Sequence, residues 1–147
     1  GRGRGVSLFY GFGSYLAQVA EVTVDKNGQV RVERVVCTVD CGRVVNPDTI
    51  EAQVQSGIVF GLTAALYGEI TLKNGRVEQD NFDSYQILRI DEAPTIDVEI
   101  IASDEAPGGI GEPATAGVGP AVVNAIHAAT GKRLRKLPID TTALKVT

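Results

Sequence analysis

The chain has 147 residues, is 44% hydrophobic and 22% charged, and carries a formal net charge of -4. That is one domain's length with an ordinary globular composition, and the charge gives no electrostatic case for nucleic acid as the main partner. No apolar run approaches the roughly 20 residues that cross a bilayer, and the N-terminus is glycine and arginine instead of the apolar core of a signal peptide.

No methionine occurs, and the opening GRGRGV reads like the inside of a domain, so the chain is expected to be a piece of a longer protein. Gly1 to Gly13 is glycine-rich but lacks the full G-x-G-x-x-G phosphate fingerprint. From Tyr15 to Val24 one set, Leu16, Gln18, Ala20, Val22 and Val24, alternates with Ala17, Val19, Glu21 and Thr23, the pattern of a half-buried strand. Asp25–Gly28, DKNG, predicts a turn in which Asn27 and Gly28 suit positive φ, and Gln29–Val39 returns as the second strand of a hairpin. Cys37 and Cys41, spaced C-x3-C, are two ligands short of a zinc or iron–sulfur site and read as buried thiols.

Asp40–Pro47 is a loop, after which Asp48, with Glu51 three residues on, predicts a helix start with a capping box. Ile50, Val54, Ile58, Leu62, Ala65 and Leu66 form one apolar stripe at helical spacing. Gly57 and Gly61 lie four apart within it. Each costs on the order of 1 kcal/mol against alanine, which predicts that another backbone or a ligand comes close there.

Lys73–Gly75, between Glu69–Leu72 and Arg76–Gln79, signals a second hairpin, and Asn81–Ile90 reads as an irregular loop. Thr95–Ser103 alternates as a strand with one wet face. Pro107–Pro113, PGGIGEP, then leads into a helix with Val118, Val122, Ala125, Ile126 and Ala129 on one face, stopping at Gly131. Proline is favoured at a helix's first position, so Glu112 sits at the helix mouth. There it either caps the helix or serves as a positioned base; its spacing alone allows both. His127, the only histidine, lies off the main stripe with no nucleophile or acid at a suggestive spacing, and reads as solvated or packed. Lys132, Arg133, Arg135 and Lys136 read as a solvated face, and Leu134–Val146 as a short tail. The expected fold is α+β: a mixed sheet built from β-hairpins, with two main helices packed on it.

The run VDCGRVVNPDTIEAQVQSGIVFGLTAALYGEI, followed by PGGIGEP and ATGKRLRKLPI, resembles the C-terminal part of the molybdenum-binding large subunit of the xanthine oxidase family of molybdenum hydroxylases. The flavour is that of isoquinoline 1-oxidoreductase β-subunits and related aldehyde dehydrogenases, and the likeness spans nearly all of residues 1–147, as the C-terminal fragment of a molybdopterin-binding domain.

The resemblance implies several things together. Glu112 is the general base beside the molybdenum, in an enzyme that oxidises an N-heteroaromatic compound or an aldehyde with water as the oxygen source. Gln53 contacts the pterin, with Gly111, Gly13 and Ser14 also on the cofactor side. Where family members often carry Q-x-E-G-G, this chain has Gln53, Val54, Gln55, Ser56 and Gly57. The pterin, in a cytosine dinucleotide form, holds the molybdenum, so no protein metal ligand is implied. The 2Fe–2S clusters lie on a partner subunit or domain, the remainder of the large subunit completes the site, and the fragment alone is inactive. The likeness does not fix the compartment, bacterial cytoplasm or periplasm. The alternative is a non-catalytic interaction module that keeps the fold.

Overall fold

The computed structural model describes residues 1–145. In chain order the elements are β1 (Arg2–Gly11), β2 (Ser14–Val24), β3 (Val30–Asp40), α1 (Pro47–Leu66), β4 (Leu72–Lys73), β5 (Arg76–Val77), β6 (Thr95–Ile100), α2 (Pro113–Thr130) and a 3-10 turn, Thr141–Leu144. The α+β expectation holds. Strands β1, β2 and β3 run antiparallel and β6 adds to β3 in parallel, giving the order β1-β2-β3-β6.

The expected hairpin of β2 and β3 forms, and Asp25 Oδ1 fixes its turn by accepting from the amides of Asn27 and Gln29, both at 2.8 Å. Only Gly28 of the expected pair takes positive φ, at 82°. Leu16, Gln18, Ala20, Val22 and Val24 turn inward together. The inward set of β3 is Val32, Val35, Cys37 and Val39, and a bulge opposite Glu21/Val22 absorbs the break in its alternation at Glu33 and Arg34. The parallel register then aligns Ile96, Val98 and Ile100 with Val35, Cys37 and Val39.

Two expectations about the sheet need correction. The second hairpin forms at Asn74 and Gly75, φ 51° and 76°, but makes a separate two-stranded ribbon of β4 and β5. The place beside β2 goes to β1, in the glycine-rich stretch where no strand was expected. Its inward positions include Gly3 and Gly5, and a Cβ at Gly5 would collide with Ala125 N and Ala121 O of α2. Glycine is there because helix backbone lies directly on the strand. The outward positions, Val6, Leu8 and Tyr10, join Tyr15 on a sheet face left uncovered by the described residues.

Helix α2 packs on β1 and β2 through Val118, Val122, Ala125 and Ile126, all fully buried, and Gly131 ends it in a left-handed turn, φ 73°. Helix α1 packs on α2 through the expected stripe. Gly57 and Gly61 face Ala114, Thr115 and Val118, so the predicted close backbone is α2 itself. The cap of α1 is Asn46, not Asp48: Asn46 Oδ1 accepts from the Thr49 amide at 3.1 Å and Pro47 opens the helix. Glu51 accepts from Gln55 at 2.8 Å instead of reaching back to the cap. His127 is half-buried, with its Nδ1 buried and unpartnered. The tail docks: Ile139 N–H donates to Ala65 O at 2.8 Å, and Leu144 is buried. Its last expected residue, Val146, lies outside the described residues.

Beyond α1, the Tyr67 hydroxyl donates to Glu92 Oε1 at 2.7 Å. Burial first, and the Glu92 carboxylate second, push the Tyr67 pKa up from 10.0 to about 12. A raised folded pKa means the folded chain holds this proton more tightly, so the stabilisation is complete below pH 10 and is lost as pH rises towards 12. Replacing Tyr67 by Phe should therefore make the fall in urea midpoint over that window shallower. Equal slopes in parent and variant would show the hydroxyl to be as free folded as unfolded.

Candidate functional site

A loop with three glycines in four positions has little side chain of its own, so its shape must come from what holds it. Two segments hold Gly108–Gly111 by hydrogen bonds, and a third lies beside it. From the loop after β3, Cys41 O accepts from Gly108 N–H at 2.8 Å. From the β1–β2 turn, Phe12 O accepts from Gly109 N–H at 2.7 Å, and the Ser14 hydroxyl donates to Gly109 O at 2.8 Å. A Cβ on Gly108 would fall 2.5 Å from both Gly13 O and Ser14 Oγ, so glycine is required. From α1, Gln53 places its Nε2 3.7 Å from where a Cβ on Gly111 would stand.

Glu112 takes the N-cap position of α2, with Pro113 at N1. Its side chain is exposed and makes no cap hydrogen bond. The amide of Thr115 donates instead to Glu112 O, at 3.0 Å. A capping carboxylate would accept from an amide of the first turn, so the capping role is not what this side chain performs. What remains is a carboxylate at the positive end of a helix dipole, open to solvent and seated on a braced loop.

All five residues singled out in the sequence meet at this loop. Glu112 and Gly111 lie on it, Gln53 faces it from α1, and Gly13 and Ser14 support it from behind. Their exposures differ: Gln53, Gly111 and Glu112 are open, while Ser14 is fully buried with its proton engaged by Gly109. The open edge offers an amide that donates and accepts, a carboxylate, and glycine where a flat polar ring can approach the backbone. Among the described residues no three His, Cys, Asp or Glu side chains gather as a metal site. An amide, a carboxylate and open glycine backbone are groups that could meet the polar edge of a pterin that carries its own metal.

Sequence reasoning missed Gln18. It is fully buried on β2, and its Nε2 donates to Ala114 O at 2.9 Å, just inside α2. Its Oε1 is buried without a nitrogen or oxygen donor. The strand register sets Cys37 opposite, a thiol that burial pushes up to about 11, with Gln18 pulling it the other way. The available signal was a single amide in the otherwise apolar set Leu16, Ala20, Val22 and Val24.

The chain was compared with known proteins. A family described as molybdopterin cofactor-binding domain matches residues 3–94, a span that includes Gly13, Ser14 and Gln53 and ends before Glu112. The chain is 41% identical over 122 residues to the membrane-bound aldehyde dehydrogenase [pyrroloquinoline-quinone] of Gluconacetobacter polyoxogenes, which covers 82% of this chain and 16% of that protein. It is 36% identical over 127 residues to the isoquinoline 1-oxidoreductase subunit beta of Brevundimonas diminuta, covering 86% of this chain and again 16% of the other. Its fold matches quinoline 2-oxidoreductase from Pseudomonas putida 86 with a TM-score of 0.81 at 23% identity, over 87% of this chain and 18% of that one. The chain thus spans about a sixth of the length of these relatives.

Proposed function

Because this chain belongs to the molybdopterin cofactor-binding domain family, we propose that it forms one wall of the cofactor pocket in a molybdenum hydroxylase and supplies the base for its reaction. The carrying observation is the uncapped, exposed carboxylate of Glu112 on a loop whose next glycine faces Gln53. The substrate class is an N-heteroaromatic compound or an aldehyde, with water as oxygen source. Both substrate types occur in the names of relatives that match most of this chain. Residues 1–147 act here as the C-terminal fragment of the cofactor-binding domain. The remainder of the large subunit completes the pocket, and the fragment is inactive alone.

The cofactor, when bound, supplies a metal that takes up the electron pair from substrate. The chain does the rest at this wall. Glu112 takes a proton at a carboxylate oxygen from the attacking oxygen nucleophile, a role that requires a fixed base with access to the reacting atoms. The Gln53 amide donates to and accepts from the pterin edge. Gly111 keeps the wall flat, and Gly13 and Ser14 hold it from behind. We assign the cytosine dinucleotide form to the pterin. The 2Fe–2S clusters that carry electrons away belong to a partner subunit or domain.

The test is metal and pterin analysis of the full-length protein purified from its own host. Molybdenum and a pterin in stoichiometric amount are expected, and removing the cofactor should abolish turnover while leaving the secondary structure intact. A folded, complete protein without either would overturn the proposal and favour the non-catalytic interaction module.

A further inference from the structure

Among the described residues only two polar side chains are fully buried, Ser14 and Gln18. Both are on β2, and both reach the segment that carries Glu112. Ser14 Oγ donates to Gly109 O at 2.8 Å, three residues before Glu112, and Gln18 Nε2 donates to Ala114 O at 2.9 Å, two residues after it. The loop is thus pinned to the sheet on each side of the carboxylate.

The Gln18 bond is not needed to satisfy its acceptor. Ala114 O lies inside α2, where the helix supplies the amide of Val118 four residues on. Gln18 also leaves its own Oε1 buried without a nitrogen or oxygen partner, which lowers stability relative to an apolar side chain of the same size. A slot is built for it nonetheless. Gly117 faces the amide, and a Cβ there would come within 3.1 Å of Gln18 Cδ. Ser7 Oγ donates to Gly117 O at 2.6 Å, fastening the far side of the slot to β1. An unfavourable side chain with a dedicated slot is accounted for by what it holds in place, the first turn of α2.

We propose that Gln18 is a positioning residue for Glu112, fixing the height and direction of the α2 mouth from below. The proposal rests on the reading of Glu112 as the base, and its test separates the two. Gln18→Met, similar in size and free of polar atoms, is made in the intact holoprotein beside Glu112→Gln. Turnover is followed with whichever aldehyde or N-heteroaromatic compound the parent oxidises. Gln18→Met is expected to keep its molybdenum and pterin content and to melt no lower than the parent. Its kcat should fall by about 10- to 100-fold with KM little changed, the acid limb of its kcat–pH profile should move, and amide exchange should quicken at Ala114–Gly117. Gly117→Ala, whose methyl displaces the amide without deleting it, should move the same limb and serves if the methionine variant does not fold. Unchanged kcat and pH profile, or a kcat that falls only in step with melting temperature and cofactor content, would overturn the positioning role while Glu112→Gln stays inactive. Turnover retained by Glu112→Gln would instead overturn the base on which it rests.

Discussion

Glu112→Gln in the intact protein should retain fold and cofactor content and lose about 100- to 10,000-fold in turnover, the range that a positioned general base contributes. The substitution changes one oxygen for an amide nitrogen, so the packing of the α2 mouth is untouched. The side chain makes no cap bond, so the stability lost is limited to the interaction of its charge with the helix dipole, about 0.3–1 kcal/mol at an exposed site. A capping role would reverse the two readouts, with little loss of turnover and a larger loss of stability. Steady-state kinetics beside thermal melting on one preparation therefore decides the assignment, and a fully active variant sinks it.

The second large effect is on the fold itself. Val122 is fully buried in the middle of α2, against β1 and β2. An aspartate there would be an uncompensated buried charge, with a penalty of roughly 3–5 kcal/mol against a total of about 5–15 kcal/mol for a domain. Val122→Asp is expected to drop the urea midpoint sharply or to leave the protein insoluble. Ala116→Asp, exposed on the same helix, is expected to shift stability by no more than about 0.5 kcal/mol. If both variants unfolded at the parent's midpoint, the inward face of α2 would be misassigned.

What could be read from the sequence was whatever is written in one stretch of chain. The stripes of α1 and α2, the β2–β3 hairpin and the PGGIGEP loop each carry their pattern locally, so their placement followed from period and turn chemistry. Two of the differences, β1 and Gln18, share a cause in long-range contact. Strand β1 was hidden because its covered face is glycine where α2 lies on it, while its larger apolar residues point to the open face. The backbone that requires those glycines is more than a hundred residues away, as the bond from Asn124 Nδ2 to Val6 O, 118 residues apart, makes concrete. Gln18 was passed over for a like reason: its partner, Ala114, is 96 residues on. The cap of α1 was a local error. Asn46 and Asp48 both qualify by type, and proline between them, favoured at N1, points to the former. At the site, Glu112, Gly111, Gln53, Gly13 and Ser14 could be picked out as motif residues, but not that Ser14 alone among them is buried and braces the loop from the sheet.

The seating of the first strand on the last helix also sets an order of events during synthesis. A hairpin such as β2–β3 closes in about 1–10 μs. The stretch from Asp40 to Thr130, made at about 5–20 residues per second, takes on the order of 5–20 s. For that interval Leu16, Ala20 and Val22, on the strand that α2 later covers, lack their helix on a sheet already able to form. Fast local pairing followed by slow long-range closure makes the nascent three-stranded sheet the aggregation-prone species of this chain. The inward face of β1, glycine where the α2 backbone lies on it, can therefore be completed only after the helix behind Glu112 has been made.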